Sequence, residues 1–210
     1  MTFSVFPGRQ DKLLNFWRQL RITDKKLVVD TERRERKLIA ENGTLEFQLE
    51  SSRPEADLDA LIRLKCSQYT RTGKQHAPLF DPVNVALLHR MLGCNDPECS
   101  GLLSVLRVGG RLVAAHLGLR CYETLHYWFP VYDTDFQAYS PGRILLKHVI
   151  LIGAGEGIRV IDRGEGDTPA KRDFANEEHL YYRGLWPSPG LRGLASRLAM
   201  TVSWRLGLNG

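Results

Sequence analysis

The hydrophobic pattern of the chain changes period several times. Residues 44–51, TLEFQLES, alternate strictly, with Leu45, Phe47 and Leu49 against polar neighbours, and predict a strand. On either side the spacing is helical. Leu13, Leu14, Trp17 and Leu20 share one side of residues 11–21. The charged run 30–42, DTERRERKLIAEN, predicts a helix with Asp30 as N-cap and Gly43 just past its end. From 52 to 73 the apolar stripe is Leu58, Leu61, Ile62 and Tyr69. Pro54 stands near the first helical position, Glu55 and Asp57 lie in the first turn, and Arg71 and Gly73 close the helix. After the loop GKQHAPLF, Asp81 and Pro82 open another helix that ends at Gly93.

Beyond the loop GCNDPECSG the period becomes that of strands. LLSVLRV and RLVAAHLGLR flank Gly109-Gly110, a hairpin signal. The aromatic run CYETLHYWFPVYD predicts a third strand of this set, and an apolar helix opens at Ser140-Pro141-Gly142. IRVIDRG reads as a short strand, EGDTPAKRDFAN as a polar turn with one helical turn at most, and HLYYRGLW as a last strand. The order β-α-α-β-β-β-α-β-(α)-β predicts an α/β (α+β) domain. Three parts are expected: a lead-in over 1–29 (or the remnant of an upstream domain), a core domain over 30–186, and a basic amphipathic tail over 187–210 set off by Pro187 and Pro189.

Composition narrows the class only slightly. A net charge of +5 and a pI near 9.1 suit an anionic small ligand. They do not call for nucleic acid, and no groove-reading motif is present. The start MTFSVFPGRQDK has no apolar signal core, and with four cysteines the expected compartment is cytoplasmic and reducing. Lys147 and His148 interrupt the longest apolar stretch, so no membrane span is expected; the basic tail would suit peripheral contact. Cys94 and Cys99 enclose NDPE without a second Cys/His pair, so no metal is expected.

The start of the 141–153 helix carries the first chemical suggestion. Backbone N–H groups of a helix's first turn lack internal partners, and aligned peptide dipoles make that end positive. Ser140 is placed to cap, Gly142 to keep bulk away, and Arg143 with Lys147 one turn on to add positive charge. This fits either a diphosphate site or a generic helix start in front of a core helix.

A resemblance adds weight to the first reading. The segments VAAHLGL, LHYWFPVYD, YSPG and IDRGEGD…KRDFAN, in this order, resemble the CelD/BcsL branch of the GNAT acyltransferases, over about residues 30–185. That resemblance implies the GNAT fold, with a mixed, mostly antiparallel sheet flanked by helices. It implies acetyl-CoA or another acyl-CoA as co-substrate, no metal, and acyl transfer to an amine or hydroxyl of a small or saccharide acceptor. It also implies a link to cellulose or polysaccharide biosynthesis, with synthase components as partners; a non-catalytic module of such an assembly is the alternative. By that likeness Ser140, Pro141, Gly142, Arg143 and the backbone of Leu145, with Lys147, would hold the diphosphate. Lys171 would pair with nearby acids or meet the 3′-phosphate. The branch often has a tyrosine where this chain has Ala170; if that tyrosine is the proton donor to the thiolate, the donor here is another group, or none, and Tyr139, which adjoins the cradle, is the nearest replacement. For the base the candidates are His126 in the aromatic strand, Asp162 at the end of a short apolar strand, and Glu165 and Asp167 in the loop RGEGDTP. Each has a structural alternative: a core histidine, a turn cap, a solvated loop.

Overall fold

The fold was determined as a computed structural model that describes residues 2–5, 11–73, 78–96 and 98–180. Residues 1–179 form one compact unit, and 180–210 form a second that lies outside the described residues apart from Leu180. The tail and most of the strand expected over 179–186 therefore fall outside the description. A three-residue strand at Glu177–His179 meets that stretch only at His179.

In chain order the elements are β1 (Thr2–Val5), α1 (Asp11–Thr23), α2 (Lys25–Asn42), β2 (Leu45–Gln48), α3 (Pro54–Arg71), α4 (Pro82–Leu92), β3 (Cys99–Val108), β4 (Arg111–Cys121), β5 (Thr124–Tyr132), α5 (Pro141–Gly153), β6 (Val160–Glu165), α6 (Pro169–Arg172) and β7 (Glu177–His179). One seven-stranded sheet runs in the order β2-β3-β4-β5-β6-β1-β7. Only β5 and β6 pair in parallel; the other neighbours are antiparallel. This is the mixed, mostly antiparallel α/β architecture expected from the sequence.

Local chemistry explains the elements that frame the site. Gly109 and Gly110 both take positive φ, 54° and 78°, as a two-residue turn between right-twisted strands requires. β3 and β4 are nearly continuously apolar because helices cover both faces. α3 and α4 cover one face, where Leu58, Leu61, Leu103, Val105, Leu117 and Val131 form a core cluster. α1, α2 and α5 cover the other, with Trp17, Val28, Leu125, Leu146 and Val149 in one cluster and Leu38, Leu106, Ile144 and Leu145 in the next. A buried ion pair between Arg107 and Asp57 ties α3 to β3.

Two expectations about helix starts are corrected. The second helix begins at Lys25, not at Asp30, and its N-cap is Asp24, whose carboxylate accepts from the Leu27 N–H at 3.0 Å. Asp30 lies inside the helix, and Leu27, Val28, Thr31, Glu35 and Leu38 form the buried stripe. Ser140 does not cap α5 with its side chain. It adopts the left-handed region (φ 54°, ψ 54°), and only its carbonyl serves the helix, accepting from Arg143 N and Ile144 N. An N-cap side chain reaches the first turn from extended backbone, which Ser140 does not have. A third feature had no counterpart in the sequence reading. Thr2–Val5, inside the expected lead-in, is a strand inserted between β6 and β7. Phe16, Trp17 and Leu20 of the same lead-in lie in the core.

Candidate functional site

The site is built where two strands part. β5 and β6 pair at Thr124↔Val160, Leu125↔Ile161 and His126↔Asp162, and the ladder ends there. On its other edge β5 carries one extra residue. Leu117 faces Phe129 and Leu119 faces His126, so Tyr127 and Trp128 together oppose Gly118. Such a bulge bends a strand and re-aims its side chains. Gly118 is required at this point, because any Cβ there would collide with the His126 carbonyl and the His116 ring.

A cavity of about 790 Å³ opens at the split, lined by His126, Tyr127, Trp128 and Pro130 of β5, Asp162 to Glu165 of β6, and Lys171, Ala170 and Thr168 around α6. Leu119 and Cys121 of β4 and Lys65 of α3 complete the wall. This volume suits a small-molecule site.

The last rung of the ladder supplies a histidine–carboxylate pair. His126 Nδ1 stands 3.3 Å from Asp162 Oδ2, while Asp162 Oδ1 accepts from Gly164 N at 2.8 Å. The His126 side chain is 47% exposed and that of Asp162 19%, so the imidazole faces the cavity and the carboxylate lies behind it. In the tautomer with its proton on Nδ1, the nitrogen nearer the carboxylate, Nε2 is the acceptor. Lys171 donates to the Glu165 carbonyl, and partial burial, with the Arg163 charge nearby, lowers its pKa although Asp162 and Glu165 pull the other way. Arg163 itself is fixed by the carbonyls of Lys171, Asp173 and Ala170.

The remaining candidates lie apart from this pair. Tyr139 donates to Glu41 on α2, with Lys37 over its ring, and does not line the cavity. Asp167 makes a two-point contact with Arg172 on the surface. At α5, Leu145 is fully buried and Pro141 nearly so. A Cβ at Gly142 would make only an ordinary contact with the Tyr132 ring, at 3.7 Å, so the fold itself does not demand glycine there. Arg143 bridges Asp30 at 3.1 Å and Asp173 at 3.0 Å. These residues line a second cavity of about 740 Å³ with Lys25, Lys26 and Arg33. Lys147 is turned inward against α2, where its ammonium meets Glu35 beneath the Trp17 ring. His148 joins the same carboxylate at 2.6 Å.

The resemblance implied a backbone role for residues 126–132 toward the thioester, but the side chains of Tyr127, Trp128, Arg163, Lys65 and Cys121 were not among the candidates. Their signal was positional only: two directly follow His126, and Arg163 directly follows Asp162. Among the described residues no group of three or more His, Cys, Asp or Glu side chains could hold a metal, and no helix is long and apolar enough to cross a membrane.

The sheet thus parts between β5 and β6 with a histidine–carboxylate pair at the fork. Residues 29–172 match the family described as an acetyltransferase (GNAT) domain, and the chain belongs to that family. The fold is similar to the crystal structure of a conserved protein of unknown function from Bacteroides thetaiotaomicron VPI-5482, at 15% identity and a TM-score of 0.53. The match covers 81% of this chain and 52% of that one, so the chain spans about half its length. No curated protein matches.

Proposed function

We propose that the chain is an acyl-CoA-dependent acyltransferase that moves an acyl group, acetyl in the simplest case, onto an amine or hydroxyl of a small or saccharide acceptor. One observation carries the reading: the His126–Asp162 pair stands at the fork of β5 and β6, inside a cavity of about 790 Å³. In the reaction His126 Nε2 takes the proton of the attacking amine or hydroxyl. Asp162 holds the ring and stabilises the imidazolium that forms. The nucleophile bonds to the thioester carbon, the C–S bond breaks, and the coenzyme A thiolate leaves. General-base assistance of this kind contributes about 10²- to 10⁴-fold.

The proposed place for the co-substrate's diphosphate is the start of α5, where a Cβ at Gly142 would make only an ordinary contact with the Tyr132 ring. Ser140, Pro141, Gly142 and the backbone near Leu145 form that surface. Arg143 reaches an anion there by exchanging Asp30 or Asp173 for it. Lys171 lines the catalytic cavity, so its ammonium faces the pantetheine end rather than the diphosphate. A cytoplasmic place beside polysaccharide or cellulose synthesis, with synthase components as partners, follows from the likeness of the sequence to the CelD/BcsL branch. The second reading, a non-catalytic module of such an assembly, draws support from the pairing of Arg143 and Lys147 with acids and from Ala170.

Calorimetric titration with coenzyme A and acetyl-CoA, on the native chain and on Gly142→Asp, tests the reading. Saturable binding that the aspartate weakens at least about tenfold supports it, since a carboxylate at a helix start opposes a diphosphate directly. Absence of binding by the folded native chain overturns it. Binding without release of thiol across a panel of amines and amino sugars favours the module.

A further inference from the structure

Beyond His126 and Asp162 the next rung of the ladder would set Tyr127 against Arg163. The strands part there, and both residues line the cavity. Tyr127 is 5% exposed, yet its hydroxyl has no hydrogen-bond partner among the described residues. Arg163 uses its two terminal nitrogens on three carbonyls, while its buried Nε has no partner among them either. Buried polar groups are almost always hydrogen-bonded, and each exception needs a reason. Here two exceptions fall on adjacent strands just past the last rung of the β5–β6 ladder.

The surroundings keep the Tyr127 ring in place. It stacks on His116 with centroids 3.8 Å apart and planes 7° from parallel. His116 is wholly buried, and burial pushes its pKa down to about 3, so the ring is neutral and adds no charge. Burial also raises the Tyr127 phenol well above its ordinary range, although the Arg163 charge pulls the other way. Tyr127 therefore keeps its proton at any working pH. It is a hydrogen-bond donor, not a base, and a poor source of a whole proton for a thiolate.

We propose that the Tyr127 hydroxyl donates a hydrogen bond to the carbonyl oxygen of the acyl thioester, with the Arg163 guanidinium fixed beside it as the positive charge that favours the developing oxyanion. The proposal rests on the acyltransferase reading and deepens it. When the acceptor bonds to the thioester carbon, the carbonyl π pair moves onto oxygen, and the hydrogen bond shortens without proton transfer. Collapse of the intermediate restores C=O and expels the thiolate, while His126 holds the acceptor's proton. A preorganised donor at this oxygen acts mainly in the transition state.

Tyr127→Phe with ¹³C-labelled acetyl-CoA tests this. In the native protein the infrared band of the bound thioester carbonyl shifts to lower frequency, and in the variant the shift disappears. Acetyl-CoA affinity and KM change less than about threefold, kcat falls about 10²- to 10³-fold, and the melting temperature stays level or rises because an orphaned hydroxyl has been removed. A shifted carbonyl band that persists in Tyr127→Phe, or an unchanged kcat, overturns the proposal and leaves the acyltransferase reading standing. Failure of the native protein to bind acetyl-CoA overturns both.

Discussion

Two regions of this molecule gather charged side chains, and they treat them differently. In the seam between α2 and α5 the basic side chains of Arg143, Arg34, Lys147 and His148 are each matched at close range. Arg143 lies between Asp30 and Asp173, Arg34 bonds Asp30 at 2.7 Å and the Ala138 carbonyl at 2.6 Å, and Lys147 and His148 share Glu35. At the split between β5 and β6 the groups are less satisfied. His126 and Asp162 meet at 3.3 Å with the imidazole half-exposed, Tyr127 donates to no described residue, and Trp128 stands 55% exposed beside them. Saturated charges hold elements together; under-satisfied ones are available to a ligand. The cations that first suggested an anion site from the sequence belong largely to the first kind.

The largest expected effect breaks the comparison at the split. His126→Ala lowers kcat about 10²- to 10⁴-fold, and Asp162→Asn lowers it about 10²-fold by releasing the ring. Both variants keep native stability, because the pair is partly exposed and not part of the core. Steady-state rates beside thermal melts check this. If His126→Ala turns over normally, the split is not where the base acts.

Next comes the seam. Glu35→Gln leaves the ammonium of Lys147 buried against a neutral amide and costs about 3–5 kcal/mol in urea unfolding, since both side chains are only 11% exposed. The seam also gives a pH signature. Burial raises the Glu35 pKa, but hydrogen bonds from His148 and Lys147 outweigh it and hold the carboxyl below its ordinary 4.5. Such an acid contributes stability that is fully present above about pH 4.5 and lost as pH falls through the depressed value. Native protein therefore loses stability more steeply below pH 4.5 than Glu35→Gln does.

How much of this could be read from the sequence depended on the range of the interaction. Caps, turns and stripes are local, so Asp81, Gly109-Gly110 and the Leu58/Leu61 face were legible. Asp30 misled because it precedes a charged run that looks like a first turn. The true cap, Asp24, sits before Lys25-Lys26, which offer no apolar period until Leu27 and Val28. Thr2–Val5 was missed because four residues are too few to show alternation, and the strand exists only by pairing with β6 and β7. At the site, His126 and Asp162 were each legible as candidates. That they are partners depends on a parallel ladder 36 residues apart in sequence (162 − 126), which no local pattern encodes. Tyr127 and Arg163 owe their interest to a missing rung, and that is visible only once the strands are placed.

A smaller effect sharpens the boundary between the two regions. Asp173→Asn removes one of the two carboxylates on Arg143 while leaving Asp30 in place. The pair is about a third exposed, so the change in stability stays below about 1 kcal/mol. With one competitor gone, Arg143 is freer to meet a diphosphate at the start of α5, and acetyl-CoA affinity rises about threefold in calorimetry. A fall in affinity would mean that Asp173 aims Arg143 at the ligand, and the seam would then count as part of the site.

The smallest effect is expected five residues from Asp162. Asp167 follows Asp162 on the same stretch of chain, and from the sequence both were candidates. In the structure Asp167 is bound at both oxygens by Arg172, and this pairing lowers its pKa despite a small opposing contribution from burial. It does not line the cavity, whereas Asp162 does. Solvent screens an exposed pair of this kind, so Asp167→Asn changes kcat and KM less than about twofold. Measured beside Asp162→Asn under the same conditions, it separates acidity on the loop from position at the split. A loss as large as that of Asp162→Asn would show that the loop itself closes over the substrate, with Asp167 leaving Arg172 to do so. Equal rates for Asp167→Asn and the native chain would instead tie the chemistry to the last rung of the parallel ladder, where the carboxylate is held by Gly164 N–H and faces His126.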